Sequence, residues 1–355
     1  MGNERTKLRR PRHLTSRPVT IAKAVHTEAL DHALGLVDTI CHLAGTDSLI
    51  GPEDTLLRRA ILERDTPYLF ELMVRSFSLQ GISDRAAWSF MEKHEPVTWQ
   101  GLQLANRRPP ACSKLRGYWT FSGCGYRKDA RICAEPAILL KCSVPGHALR
   151  NGRLNQMVHS LFFFIRDVMN GDLVEWIDRS LAHANFGKGR ERHERMRRAL
   201  IEPLSNIYGV SDKILNMTLA EILLAAPPSK SLWLETGASM IAIDTLVHNF
   251  FCRTGITSRL GVDHVYGPAC YSENGCADVV RTLARRIDAR QFNAAYPKSF
   301  PRFVQHAIWR YCAQSELNVC NGNNIDDRFR CLYKGCTLYH RCSRVALHHT
   351  TQVKE

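Results

Sequence analysis

Hydrophobic positions recur along this chain at the three- and four-residue steps of amphipathic helices. Leu30, Ala33, Leu34 and Val37 form one apolar stripe, Leu56, Leu57, Ile61 and Leu62 a second, and Leu69, Leu72, Met73 and Phe77 a third. The stretch from Ile21 to about Trp99 therefore reads as helical, with Asp84 placed to N-cap a helix over Arg85–Lys93. Leu154, Met157, Val158, Leu161, Phe162 and Ile165 predict a well-buried helix over Leu154–Asp167, followed by one over Leu173–Ala184. Two further helices flank the heptapeptide I-Y-G-V-S-D-K, Ile207–Lys213. The first, Arg192–Asn206, is basic on one side, carries Met196, Leu200 and Leu204, and has Pro203 in its last turn. The second, Asp212–Ala226, is apolar at Ile214, Leu215, Leu219, Ile222 and Leu223. Asp244 and Gly255 then read as the start and stop of a helix over Thr245–Arg253, and Phe303, Ala307, Ile308 and Trp309 mark another. The fold class expected is mainly α.

The pattern divides the chain into five parts. Residues 1–23 carry Arg5, Lys7, Arg9, Arg10, Arg12, Arg17 and Lys23 against one acid, Glu4, and read as a basic disordered tail. Such a tail is either a counterion-releasing arm on DNA or a solvated terminus. Residues 24–99 form a helical extension and 100–145 an irregular segment. In the latter, Pro109-Pro110, Gly117, Gly123 and Gly125 break any long helix. Its Arg116, Arg127, Lys128 and Arg131 interleave with Tyr118, Trp119, Phe121 and Tyr126, which suits either stacking on a nucleic acid strand or a β-rich loop with inward aromatics. Residues 146–310 make the main helical domain, and 311–348 a cysteine-rich loop.

Composition sharpens the partner more than the fold. Hydrophobic residues at 45 % and charged residues at 23 % are ordinary for a soluble protein, but a formal charge of +14 is not, and it points to a polyanion such as nucleic acid. No apolar run reaches the roughly 18–20 residues of a membrane span, and the basic N-terminus has no apolar core to act as a secretory signal. Thirteen cysteines, an odd number without an export signal, are expected as reduced thiols or metal ligands inside the cell. The compartment expected is the cytoplasm, associated with the nucleoid, or the nucleus.

Two cysteine groups differ in kind. Cys112, Cys124, Cys133 and Cys142 are spaced C-x11-C-x8-C-x8-C, without the paired knuckles of a structural zinc site, and reduced thiols are the default there. Cys320, Cys331, Cys336 and Cys342 are spaced C-x10-C-x4-C-x5-C, after Cys312, and can ligate a cubane iron–sulfur cluster or a tetrahedral zinc. Arg328, Arg330, Lys334, Arg341 and Arg344 surround them.

A hairpin of a few residues between two helices exposes backbone N–H groups, and the second helix adds the positive end of its dipole, a combination suited to a phosphate. The heptapeptide at Gly209, with Ile243-Asp244-Thr245-Leu246-Val247-His248 and Arg253-Thr254-Gly255-Ile256 downstream and the C-terminal cysteines, resembles the helix-hairpin-helix DNA glycosylases of the endonuclease III type over roughly residues 140–345. That family's hairpin reads L-P-G-V-G-x-K, its downstream run [VI]-D-T-H, and its tail holds a [4Fe–4S] cluster. The resemblance implies a base-excision glycosylase, with possible lyase activity on abasic sites, acting on damaged double-stranded DNA. Lys213 matches the family's amine nucleophile and Asp244 its carboxylate. Gly209, Val210 and Ser211, with Arg195 and Arg198 from the preceding basic run, would hold the DNA backbone. Cys320, Cys331, Cys336 and Cys342 would hold the [4Fe–4S] cluster, with zinc as the alternative. The loop at Arg150–Asn151 corresponds to one that enters the duplex in that family. Ser211 and Asp212 depart from its hairpin and keep open a non-catalytic DNA-binding protein of the same fold. A zinc-stabilised nucleic-acid-binding regulator is the third reading.

Overall fold

The computed structural model describes residues 23–347, apart from short stretches at 46–48, 50–54, 83, 107–109, 111, 128–129, 134, 147–148 and 151. Residues 1–22, where the basic tail was expected, and Pro109, Lys128 and Asn151 lie outside the described residues.

Five helices come before the irregular segment: α1 (Lys23–Ala44), α2 (Leu56–Glu63), α3 (Thr66–Ser78), α4 (Asp84–Lys93) and α5 (Trp99–Ala105). The short α6 (Tyr118–Phe121) lies within it. The hairpin is approached through α7 (Asn155–Asp167), α8 (Leu173–Ala184) and α9 (Gly189–Leu204), and left through α10 (Asp212–Leu224) and α11 (Ser231–Ser239). Then come α12 (Thr245–Thr254), α13 (Ile256–Leu260), α14 (Cys276–Ala284) and α15 (Pro301–Cys312). Among the described residues there is no strand, only an isolated antiparallel bridge between Arg127 and Ile132. The fold is mainly helical, as the periodicity implies.

Local chemistry sets the helix starts. Thr55, Asp65, Thr98, Asp172 and Asp244 each accept a hydrogen bond from the backbone N–H three residues on, satisfying one of the donors a helix start leaves open. Gly255, in the left-handed region at φ +77°, ends α12 with its N–H on the carbonyls of Phe251 and Cys252.

The core is continuous. Helix α7 is buried from Asn155 through Ile165, and its Phe162 and Phe163 meet Phe70, Trp99 and Phe121. The helices expected as an extension are woven into this core. Helix α3 packs on α7, α8 and α10, while α1 docks on α13, α14 and α15 at the other end of the sequence. Helices α9, α10 and α11 connect the two groups, and α11 also touches α15. Periodicity marked the apolar stripe of α1 but carried no information about which helix covers it.

The segment 100–145 forms no strand among the described residues, against the β-rich expectation, and its aromatic side chains divide between core and surface. Phe121 and Tyr126 are buried and Phe121 packs on Phe163, whereas Trp119 stays 66 % exposed.

Candidate active site and metal centre

The hairpin forms where the heptapeptide places it. Helix α9 ends at Leu204, Ile207 is buried, and Gly209 takes φ +70°, a conformation that costs a side chain but not glycine. Ser211 stands at the N-cap of α10 in extended backbone, yet its side chain makes no capping hydrogen bond. The hairpin is tied elsewhere instead. Gln80, at the end of α3, donates from Nε2 to the Gly209 carbonyl at 2.8 Å and accepts from the Ser211 N–H at 3.4 Å. The Tyr208 N–H donates to Ser160 Oγ at 3.2 Å and the Val210 N–H to the Ile207 carbonyl at 3.3 Å. Arg150 reaches the Gln80 carbonyl at 2.5 Å, so the loop before α7 braces the hairpin through one glutamine.

The basic run of α9 is largely engaged within the protein. Arg190 pairs with Asp278 at 2.7 Å, Arg192 with Glu235 at 2.5 Å, and Arg197 and Arg198 with Glu194 at 2.7 and 3.1 Å. Arg195 folds back over the Phe186 ring at 3.8 Å and donates to the Phe186 carbonyl. Of the two arginines expected on a DNA backbone, Arg198 keeps 61 % of its side chain exposed.

Lys213 lies half-buried in the first turn of α10, and Asp244 half-buried at the N-cap of α12, where it accepts from the Val247 N–H at 2.9 Å. No hydrogen bond or ion pair joins Lys213 to Asp244 among the described residues. Their surroundings do meet. Arg197 lies in the field of both Asp212 and Tyr271, and the Tyr271 hydroxyl accepts from the Ile243 N–H at 2.8 Å, one residue before Asp244. A cavity of about 390 Å³, within the range of small-ligand sites, opens beside this region. Ile214, Met217 and Glu221 of α10 line it, together with Arg302 of α15. Burial lowers the Arg302 guanidinium to about 10, against the opposing fields of Tyr271, Asp244 and Glu221.

A group of ligating side chains that the motif reading overlooked sits on the other flank of α12. One ligand atom each from His248, His264, Cys270 and Cys276 lies within 4.8 Å of the others, and the four could hold a metal ion. His248 is on α12, His264 in the loop after α13, Cys270 in a 3-10 turn at Pro268–Tyr271, and Cys276 opens α14. The hydrogen bond between Cys276 and Cys270 draws the Cys270 thiol well below the ordinary range, helped by His248, the Gly267 backbone and His264 against burial, and raises Cys276 in turn. His248 enters the motif reading only as the last residue of the Ile243–His248 run. The available signal was His264 followed by Cys270 and Cys276 at six-residue intervals, H-x5-C-x5-C.

The four tail cysteines lie in one another's electrostatic fields, although among the described residues only the His/Cys group gathers as a possible metal site. Burial raises the Cys342 thiol to about 11, and the neighbouring Cys320, Cys336 and Cys331 sulfurs raise it further. Cys312 is not an outlying thiol but a hydrogen-bonding neighbour of Cys320. The strongest test of a thiolate cluster is Arg253, which is 1 % exposed. Its Nη2 pairs with Asp327 at 2.5 Å, its Nε and Nη1 have no hydrogen-bond partner, and Cys320 lies in its field. Asp327 supplies the counter-charge to this buried cation, and Arg253 in turn favours the charged form of the Cys320 sulfur. The Arg344 N–H also donates to Cys342 Sγ at 3.3 Å, and Tyr311 Oη lies 3.2 Å from Cys336 Sγ. Thiolates bound in a metal cluster fit these surroundings. In the 100–145 segment, burial first, then the fields of Cys124, Cys112 and Cys133 raise Cys142, so these sulfurs share one neighbourhood despite their irregular spacing.

No family model, no curated protein and no solved structure matches this chain. No helix among the described residues is long and apolar enough to cross a membrane.

Proposed function

We propose that the chain is a DNA base-excision glycosylase of the helix-hairpin-helix kind, acting on damaged or abasic double-stranded DNA. The observation that carries this reading is the Gly209 hairpin, which opens the helix that bears Lys213 in its first turn. The 390 Å³ cavity lies along the same helix, although neither Lys213 nor Asp244 lines it; a damaged base turned out of the stack would have to reach both residues. Lys213, as the free amine, would attack the sugar C1′ and the C1′–N bond would break with its electron pair leaving on the base. Asp244 would stabilise the positive charge developing on the sugar ring. Loss of a proton from the Lys213 nitrogen and ring opening then give a Schiff base, from which the 3′ phosphate can be eliminated.

The tail supplies a second surface. Arg328, Phe329, Arg330, Leu332, Tyr333 and Lys334 are all exposed, so basic and ring-bearing side chains alternate where unpaired bases can stack and phosphates can be neutralised. A [4Fe–4S] cluster on Cys320, Cys331, Cys336 and Cys342 would hold this loop rigid.

Borohydride trapping on an abasic-site duplex tests the reading. A covalent adduct that disappears in Lys213→Ala supports it, and an adduct that persists in that variant overturns the assignment. A second reading, a DNA-binding protein of the same fold without catalysis, is favoured by two observations. Gln80 holds the hairpin amide of Ser211, and Asp244 is engaged as an N-cap. It predicts tight binding to the same duplex with no adduct.

A further inference from the structure

We infer that His248, His264, Cys270 and Cys276 bind a single zinc ion as a closed structural site that positions Asp244. The inference about the ion stands without the glycosylase reading; only the consequence for Asp244 rests on it.

Tetrahedral zinc holds nitrogen at about 2.0–2.1 Å and sulfur at about 2.3 Å, so a nitrogen–sulfur edge of its coordination sphere measures roughly 3.6 Å. Three such edges are present. His248 Nδ1 lies 3.4 Å from Cys276 Sγ and 3.5 Å from Cys270 Sγ, and His264 Nε2 lies 3.3 Å from Cys276 Sγ. The outer partners orient both rings as ligands. His264 Nδ1 sits 2.7 Å from the Val262 carbonyl, which can only accept, so the ring proton is on Nδ1 and the Nε2 lone pair faces the group. His248 presents Nδ1 to both sulfurs and turns Nε2 to Cys252 Sγ at 3.5 Å, which makes Cys252 an outer partner of the ring.

The backbone is shaped to close the site. A Cβ on Gly275 would lie 2.2 Å from the Ala269 carbonyl oxygen and 2.8 Å from the Cys270 carbonyl carbon, so only glycine lets the strand of chain before α14 approach the turn that carries Cys270. Cys276 opens the nine-residue helix α14, which fixes its sulfur beside both imidazole rings. Two thiolates neutralise a divalent ion, which suits the burial of His248, Cys270 and Cys276. Two nitrogens and two sulfurs select zinc over hard cations, and four protein ligands leave no open position for substrate. The ion would fasten Asp244 by two routes: through α12, which Asp244 caps and His248 anchors, and through Cys270, whose neighbour Tyr271 bonds Ile243.

The experiment is metal analysis of the full-length protein expressed with zinc in the medium, alongside His264→Ala, Cys276→Ser, Gly275→Ala and Cys336→Ser. One zinc per chain is expected to be lost in His264→Ala and Cys276→Ser, reduced in Gly275→Ala, and kept in Cys336→Ser. Zinc content unchanged in both ligand variants, or absent from the parent protein, would overturn the inference. Should the ligand variants fail to fold, cobalt substituted into the parent protein decides. Intense tetrahedral visible bands with a thiolate charge-transfer band are expected, and a weak octahedral spectrum refutes the site.

Discussion

Replacing Glu194 with glutamine probes how the helix entering the hairpin is held. The Glu194 carboxylate bonds Arg197 at 2.7 and 3.1 Å and Arg198 at 3.1 Å, and reaches Arg281 of α14 at 3.7 Å. Burial works against its charge but is outweighed by Arg197, then Arg281 and Arg198, which hold the carboxyl at about 2 against an ordinary 4.5. At ~1.4 kcal/mol per pH unit, the difference between about 2 and 4.5 corresponds to about 3 kcal/mol of stability at neutral pH. The folded-state value is the depressed one, so this contribution is complete above 4.5, shrinks as pH falls, and is gone below about 2. At pH 3 about 1.4 kcal/mol should remain. Glutamine keeps the shape and removes the charge. Glu194→Gln is therefore expected to be less stable than the parent by about 2–4 kcal/mol at pH 7 and by roughly 1–1.5 kcal/mol at pH 3.

Urea denaturation of both proteins at each pH measures the gap, and any metal lost to acid is lost from both. A gap below about 0.5 kcal/mol at pH 7, or one of the same size at both pH values, would refute the reasoning. The first result would mean that solvent screens the cluster as it does a surface pair. The second would mean that glutamine disturbs packing and that charge is not the cause.

Three further predictions follow from single residues. Arg253→Met removes the cation between Asp327 and the Cys320 sulfur. It should cost about 2–3 kcal/mol and, if the proposed [4Fe–4S] cluster occupies the tail, several-fold in its metal, read as iron and acid-labile sulfide in protein purified without oxygen; unchanged content would dissociate Arg253 from the proposed cluster. Gly209→Ala adds a Cβ that meets nothing within 4 Å, so only the φ of +70° is penalised, by roughly 1 kcal/mol in a denaturation curve. Asp244→Asn keeps the cap and should leave stability within about 0.5 kcal/mol, whereas Asp244→Ala should cost about 1 kcal/mol. The borohydride adduct should form at least tenfold more slowly in both, and an undiminished rate in Asp244→Asn would leave Asp244 a cap alone.

What the sequence discloses here is local, and what it conceals is contact between distant segments. Helices α7, α8, α10 and α12 fall within two residues of where apolar spacing, Asp244 and Gly255 put them, because capping and periodicity act over a few residues. Ser211 looks like an ordinary N-cap until Gln80, far upstream, takes its N–H. The arginines of α9 look like a polyanion surface until Asp278 and Glu235 arrive from α14 and α11. The His/Cys group escaped for the same reason. Its ligands come from a helix, a loop, a 3-10 turn and the start of another helix, and no two of them form a paired knuckle. The tail cysteines drew notice because they lie close in sequence, but Arg253, whose field reaches Cys320, sits on a helix of the other motif.

That helix, α12, gathers the candidate chemistry. Asp244 caps it and accepts from Val247, His248 one turn on joins the His/Cys group, and Arg253 at its far end has Cys320 of the tail in its field. The Thr254 and Arg253 carbonyls then accept from the N–H groups of Ser343 and Val345, so the tail is bonded to the helix terminus that Gly255 leaves open. A Cβ on Gly255 would fall 2.4 Å from Ser343 Oγ, which is why the tail can approach only a glycine there. Ten residues thus carry a carboxylate at one end and contacts to two cysteine-bearing groups along the rest. A helix this short is marginal in isolation; in the proposed zinc site, ligation at His248 together with the Arg253–Asp327 ion pair would hold it in one orientation. The carboxylate at its N-terminus would be placed by the same constraints, so both would support the proposed reaction without contributing an atom to it.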